Sequence, residues 1–421
     1  MSESIKVTGF AGLKHIELDL NEFNLLIGPQ ATGKSILAKL LFYLKGIVWQ
    51  MFSASENNQS KRELDQILAK RFDELFPQQS WGKEAFEIQY ALNGLKISIS
   101  RIASKKGTLT ITYSRFLHTE LNRLKRFSNS AREKHQEDED FDSYDVTFRM
   151  REMFVDAARR EFGTIAPFTQ LFIPAGRSFF ANLQSSIFSF LSGNNAIDPF
   201  LKEFGSVYEN IKRAVHFPRR RNEEYKVFFE EAEKLIQEIL CGKYVTEKGR
   251  DYLDVIDGRR INLGNCSSGQ QETLPLALML KRLPFLRTKS GSSVYIEEPE
   301  AHLFPTAQRL ALELIALTFN ASQSRLQVVI TTHSPYVLTA LNNLLQAGAI
   351  YEKLGQKHCN KLSQLVPKAR AISLKSISAY SLTRRNCESI IDVENQLLKT
   401  DLIDQVSTEL AVQFDELISL E

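Results

Sequence analysis

Eight residues, Gly28-Pro29-Gln30-Ala31-Thr32-Gly33-Lys34-Ser35, follow the pattern G-x-x-x-x-G-K-S. These types suit a polyphosphate. Glycines let successive backbone N–H groups converge on an anion, the lysine reaches the terminal phosphates, and the serine hydroxyl can ligate Mg²⁺. The run Phe23–Ile27 before the loop reads as a buried strand, and the run from Lys34 onward as a helix. That is the context such a loop requires. Gly28 to Ile36 is therefore the expected ATP-binding segment, with Ser35 as a metal ligand.

Two adjacent glutamates, Glu297 and Glu298, close the apolar run Val294-Tyr295-Ile296. Adjacent carboxylates repel each other and resist burial, so a dication or a reacting water would explain them. With Mg²⁺–ATP at Ser35, Glu297 is expected to hold the metal, directly or through water. Glu298, one residue closer to the γ-phosphate, is expected to polarise the attacking water. A third apolar run, Val328-Val329-Ile330, ends in Thr331, Thr332, His333 and Ser334. Its strand is expected beside the glutamate strand, so His333 would donate a hydrogen bond to the γ-phosphate. Ser267, Ser268, Gly269 and Gln270 form the fourth candidate. Ser267 with Gln270 three residues later is a capping-box pattern, and Gly269 lets a ligand approach the backbone. That gives a second anion-receptive helix start, which a single nucleotide does not need.

These segments need a scaffold. Strands alternate with helices in the last part of the chain, which argues for a parallel sheet covered on both faces. Near the N-terminus, short strands joined at Asn93-Gly94 and Lys106-Gly107 read as hairpins, and a further hairpin turns at Asp257-Gly258. Arg115 to about Glu161 is charged and helix-like, and reads as a solvated helical hairpin. The expected divisions are 1–113 with the phosphate loop and a β-subdomain, 114–165 as a charged helical insertion and 166–264 as a helical lobe. Then 265–350 holds the serine-glycine, glutamate and histidine segments, and 351–421 adds a C-terminal strand and helices.

The 421 residues suffice for two or three domains, or one large domain with insertions. A formal net charge of +3 removes bulk basicity as an argument for nucleic acid. Local basic stretches, Pro218–Asn222 and Leu121–Lys134, keep DNA open as a partner. Four scattered cysteines without C-x-x-C spacing suit a reducing cytoplasm. No signal-peptide pattern and no run of about 18 apolar residues is visible, so no membrane span is expected.

The order of the motifs resembles the ATP-binding-cassette ATPases, and within them the SMC, RecF and OLD-like branch. Ile5–Ser35 resembles the opening of that branch and Ser267–Glu272 its signature. Tyr295–Pro305 resembles its Walker B with the following D-loop, and Thr332–Leu338 its switch-histidine segment. Ser376–Leu398 is similar, more distantly, to the end of bacterial OLD-like defence ATPases. The resemblance implies an α/β P-loop ATPase head with a mixed sheet, a β-rich N-terminal lobe and helical insertions. It implies ATP at Gly28–Ser35, Mg²⁺ on Glu297, Glu298 as the catalytic carboxylate and His333 at the γ-phosphate. Ser267 and Gly269 would then bind the γ-phosphate of ATP held by a second subunit, with Glu300, Ala301 and His302 along the dimer seam. A homodimer or higher oligomer with composite ATP sites is thus implied. So is a cytoplasmic defence switch acting on a separate nuclease or toxin, because no D-x-D cluster follows His333. A RecF-like DNA-repair ATPase is the alternative, and a transporter's nucleotide-binding subunit a distant third. Three features depart from the family pattern. Glu297 stands where many relatives have aspartate. No glutamine stands in Ile173–Phe180, where Arg177 is the polar residue on offer for the glutamine-loop role. Long coiled coils are missing, which speaks against bridging DNA over long distances.

Overall fold

The computed structural model describes residues 2–102, 109–134, 143–182, 197–213, 223–286, 290–354, 359–383, 386–400 and 411–418. The strands are β1 (Glu3–Phe10), β2 (Leu13–Leu20), β3 (Phe23–Ile27), β4 (Phe86–Leu92), β5 (Leu95–Arg101), β6 (Leu109–Tyr113) and β7 (Thr169–Ile173). They continue with β8 (Gly242–Glu247), β9 (Arg250–Val255), β10 (Arg260–Asn262), β11 (Ser292–Glu297), β12 (Leu326–Thr332), β13 (Ile377–Leu382) and β14 (Cys387–Ser389).

The central sheet has the order β14-β13-β3-β12-β11-β7. All its neighbours are parallel except β14, which pairs antiparallel with β13. Every residue of β3, β11 and β12 is buried. That explains their unbroken apolar runs, since a strand covered on both faces has no wet side to alternate with. A second, antiparallel sheet, β2-β1-β4-β5-β6, forms the β-rich lobe. Its strands do alternate, as in β4, where Phe86, Ile88 and Tyr90 are buried and Glu87 and Gln89 exposed. The β4–β5 turn has positive φ at both Asn93 (44°) and Gly94 (98°), as a two-residue hairpin requires. The Lys106-Gly107 turn and the basic stretch Pro218–Asn222 lie outside the described residues.

Helix Lys34–Glu56 lies between the two sheets. Its Lys45 ammonium meets Glu3 of β1 at 2.6 Å and also Gln327 of β12. Tyr90 of β4 donates to the same Glu3 carboxylate at 2.7 Å, and Gln327 donates to its other oxygen at 2.7 Å. A buried charge pair is tolerable only when its remaining valences are met in this way. This helix is long and apolar enough to cross a membrane by length and composition, but 67% of its apolar window is buried inside the protein. It is a core helix that begins in the phosphate loop.

Helices Arg115–Lys134 and Ser143–Phe162 carry the charged insertion. The expected solvated hairpin is only half solvated. Leu117, Leu121, Leu124, Met150 and Phe154 are buried, and the Phe154 ring lies 5.4 Å from Phe52 and 5.7 Å from Trp49 of the core helix. Later helices Pro199–Arg213, Glu223–Leu240, Ser268–Arg282 and Pro305–Ala321 complete the cover of the central sheet. Helix Pro335–Leu354 follows β12 directly.

Candidate nucleotide site

β3, β12, β11 and β7 run parallel, so their C-terminal ends open on one edge of the sheet. Ligands of open α/β sheets gather at such edges. The phosphate loop follows β3, the two glutamates end β11 and His333 follows β12. The strand bearing Glu297 is next to the histidine strand, as the sequence suggests. It is not next to the loop strand, because β12 stands between them. Gly28 permits the loop's entry. Its φ is 149°, and a Cβ there would sit 2.0 Å from the Leu382 carbonyl oxygen of β13. Pro29, Gln30 and Ala31 are exposed, while Thr32 and Lys34 are buried and Ser35 and Ile36 half-buried.

The Lys34 ammonium folds onto its own loop. It donates to the carbonyls of Gly28 (2.7 Å) and Pro29 (2.6 Å) and lies 3.2 Å from His333 Nδ1. Burial lowers its pKa to about 8, opposed by the charges of Glu298 and Glu300. His333 is the hub. Its Nδ1 is 3.0 Å from the Gly28 carbonyl oxygen and its Nε2 is 3.0 Å from a Glu298 carboxylate oxygen. Loop, histidine and second glutamate are thus one connected set. Glu298 adopts φ 44°, a left-handed conformation that costs a non-glycine residue roughly 1–2 kcal/mol. Its N–H is tied to the Thr331 carbonyl at 2.9 Å, and its own carbonyl accepts from Ala301 at 3.0 Å.

Glu297 is different. Its carboxylate is buried, and burial raises its pKa, with Lys39, the Ser35 hydroxyl and the Ala175 N–H opposing. One oxygen accepts from Ala175 N–H at 3.3 Å. The other, Oε1, is buried with no hydrogen-bond partner, as is the hydroxyl of Thr331, which pairs in register with Glu297. An unpartnered buried carboxylate oxygen beside a serine hydroxyl fits a Mg²⁺ ion. Among the described residues no group of three His, Cys, Asp or Glu side chains is placed to hold a metal alone. Mg²⁺ does not need one, because it keeps waters and takes substrate phosphate oxygens.

Ser267 caps helix Ser268–Arg282 through the expected capping box. Gln270 N–H donates to Ser267 Oγ at 3.4 Å, and Ser267 N–H to Gln270 Oε1 at 3.0 Å. Among the described residues, no hydrogen bond joins Ser267–Gln270 to Gly28–Ser35. Ser267 and Ser268 are exposed, but Gly269 is buried. A Cβ on Gly269 would lie 2.5 Å from the His302 carbonyl oxygen, so what approaches this glycine is the chain's own D-loop segment.

Two charged residues of these segments are buried within the chain. Glu300, which the resemblance puts along the dimer seam, is buried within the chain. Its Oε1 accepts from Thr332 Oγ1 (2.6 Å) and from the His333 N–H (2.8 Å), so it fixes the backbone that carries His333. Arg177, the polar residue on offer for the glutamine-loop role, is completely buried and directs its guanidinium to backbone carbonyls and Glu272. Glu272 itself was overlooked as a site residue. The only local signal was a carboxylate in the first turns of a helix, which ordinary capping also produces.

A family model described as AAA ATPase domain (AAA_15) matches residues 1–338. No curated protein matches the sequence. Among solved structures, the SmcHead bound to the C-winged helix domain of ScpA is similar at 11% identity and TM-score 0.41, covering 93% of this chain and 98% of that chain. The SMC head domain from Thermotoga maritima gives 12% and 0.35, with 81% and 92% covered. The recombination mediator protein RecF bound to ATPrS gives 12% and 0.31, with 92% and 98% covered. The family match spans the phosphate loop, the capped serine-glycine helix, the glutamate pair and His333, so the chain belongs to the AAA ATPase domain family and is a P-loop ATPase.

Proposed function

We propose that this ATPase is an SMC/RecF-type switch that closes into a dimer around ATP and hydrolyses it with Mg²⁺. The observation that carries the reading is His333, whose two ring nitrogens touch the phosphate loop and Glu298 at once. ATP would take the Lys34 ammonium from the loop carbonyls and bring its γ-phosphate against His333. Glu298 would then leave His333 and accept a proton from the attacking water, a general-base role worth about 10²–10⁴ in rate. Mg²⁺, held by Ser35 and Glu297, would neutralise developing charge on the phosphate oxygens. Ser267, Ser268, Gly269 and Gln270 would serve ATP held by a second copy. Exposed aromatics support that seam: Phe304 (76% exposed) follows the D-loop and Tyr336 (53%) follows His333.

The test is Glu298→Gln. Turnover should fall by about a hundredfold. ATP should still bind, and light scattering should show an ATP-dependent dimer. Near-normal phosphate release would remove Glu298 from the chemistry.

The switch is proposed to act in prokaryotic defence on a separate nuclease or toxin, in the cytoplasm. The support is the likeness of Ser376–Leu398 to the end of OLD-like ATPases. A RecF-like DNA-repair role is the second reading. On the helix Arg115–Lys134, Arg115 and Arg126 are exposed and Lys125 is half-exposed, while Arg123 is paired with Glu120 at 2.7 Å.

A further inference from the structure

Lys39 lies one helical turn after Ser35, so the two side chains share a face of the core helix. Both are half-buried. The Lys39 ammonium is restrained without being consumed. It sits 4.7 Å from the centre of the Phe200 ring and 5.9 Å from that of Phe172, a cation held over aromatic faces. Asp198 Oδ2 is 3.9 Å away, an ion pair too long for a hydrogen bond. The other oxygen of Asp198 is fixed, because it accepts the N–H groups of Phe200 (2.9 Å) and Leu201 (3.2 Å) at the start of helix Pro199–Arg213. The charge so placed acts on Glu297. Burial raises the pKa of that carboxylate, and Lys39 comes first among the groups that oppose burial, ahead of the Ser35 hydroxyl and the Ala175 N–H. Asp198 acts in the other direction and comes last. Its side chain is 51% exposed, so solvent screens it.

We propose that Lys39 is a positioning residue that makes divalent-metal binding at Ser35 and Glu297 conditional on nucleotide phosphate. The inference deepens the nucleotide site proposed above and rests on it. Glu297 and Lys39 together carry no net charge, so a free dication gains little from the pair. It would leave water for one carboxylate and one hydroxyl, with a like charge one helical turn away. Mg²⁺ dehydrates reluctantly and is usually bound with substrate phosphates in addition to one or two carboxylates. The phosphates of ATP overturn the charge balance, and the metal then binds as part of the nucleotide complex. Between turnovers the ammonium supplies the countercharge that the metal supplies during one. Its tether to Asp198 and the two rings keeps it beside Glu297 without letting it take the carboxylate oxygen that is buried and unpartnered.

Mn²⁺ titration read by electron spin resonance tests this without any turnover, since Mn²⁺ takes the same oxygen ligands. Lys39→Met keeps the apolar stem over Phe200 and removes the charge. With no nucleotide present it should bind Mn²⁺ about tenfold or more tightly than the native chain, the scale of one unit charge close to a divalent ion. Lys39→Arg keeps the charge and should behave as the native chain. Adding Glu297→Gln to Lys39→Met should remove the gained binding, which assigns it to this site. Lys39→Gln repeats the measurement if Lys39→Met does not fold. Equal nucleotide-free affinity in the native and Lys39→Met chains overturns the proposal, and so does a gain that survives Glu297→Gln. The site itself is checked with ADP present, where Glu297→Gln alone should weaken Mn²⁺ binding. If it does not, while ADP still binds, Glu297 is not a metal ligand, and the metal site falls together with the role of Lys39.

Discussion

At the scale of single residues, Lys34 decides the site's charge. Its pKa of about 8 reflects burial of a cation that holds only neutral carbonyls and distant carboxylates. Because the folded value lies below the ordinary one, the cost of burying the charge is fully present below pH 8 and fades as the lysine deprotonates above it. Phosphates beside the ammonium would reverse the shift, so ATP binding should draw in a proton. About half a proton per site is expected at pH 8 and about a tenth at pH 7. Calorimetry in buffers of different ionisation enthalpy measures this directly, and uptake that does not rise between those values would place the phosphates away from Lys34. Lys34→Ala should weaken ATP binding severely, which the same instrument reads. His333→Ala should leave ATP bound and lower turnover by about ten- to a hundredfold, the scale of one lost donor at a developing charge. Unchanged turnover would make His333 a spacer.

Among elements, the narrow fit between β3 and β13 sets the loop. Gly28→Ala would place a Cβ 2.0 Å from the Leu382 carbonyl oxygen at a φ of 149°. Overpacking and backbone strain together should cost about 2–4 kcal/mol, seen as a lower urea midpoint with an unchanged slope. A shift under about 0.5 kcal/mol would mean that the loop and β13 part easily. This contact also marks where the sequence stops being legible. Gly28–Ser35, the Glu297–Glu298 pair and Ser267 with Gln270 are contiguous strings, and their local chemistry is written in neighbouring residues. That β12 separates β3 from β11 is not written there, because strand order depends on packing between distant segments. The burial of Arg177 and Glu300 is hidden in the sequence for the same reason. A charged side chain in a polar loop looks solvent-facing until a buried carbonyl or carboxylate far along the chain turns it inward. The insertion follows suit: its charges suggested a solvated hairpin, whereas Trp49 and Phe52 of the core helix supply the apolar face it packs on.

For the whole molecule, the composite site makes the strongest demand. A Ser267→Arg chain and a Lys34→Ala chain should each be inactive alone. Mixed heterodimers would combine both lesions in one site and leave an intact loop facing an intact signature in the other. A head-to-tail arrangement predicts that ATPase activity returns, up to about half per heterodimer if the sites are independent. No recovery in verified heterodimers would mean that the sites are strictly coupled or the sandwich is wrong. Crosslinking Ser267 to the phosphate loop in ATP-bound Glu298→Gln separates those two results. The position of β3 has a further consequence, for synthesis. Its two neighbours, β12 and β13, are made roughly 300 and 350 residues later. At about 5–20 residues per second, the strand that launches the phosphate loop waits some 15–60 s or more on the ribosome before either flank exists. Until then it is an apolar strand with two open edges, attractive to chaperones and to other nascent chains. A product stalled before residue 326 would carry the complete phosphate-loop motif and lack the sheet that gives it shape.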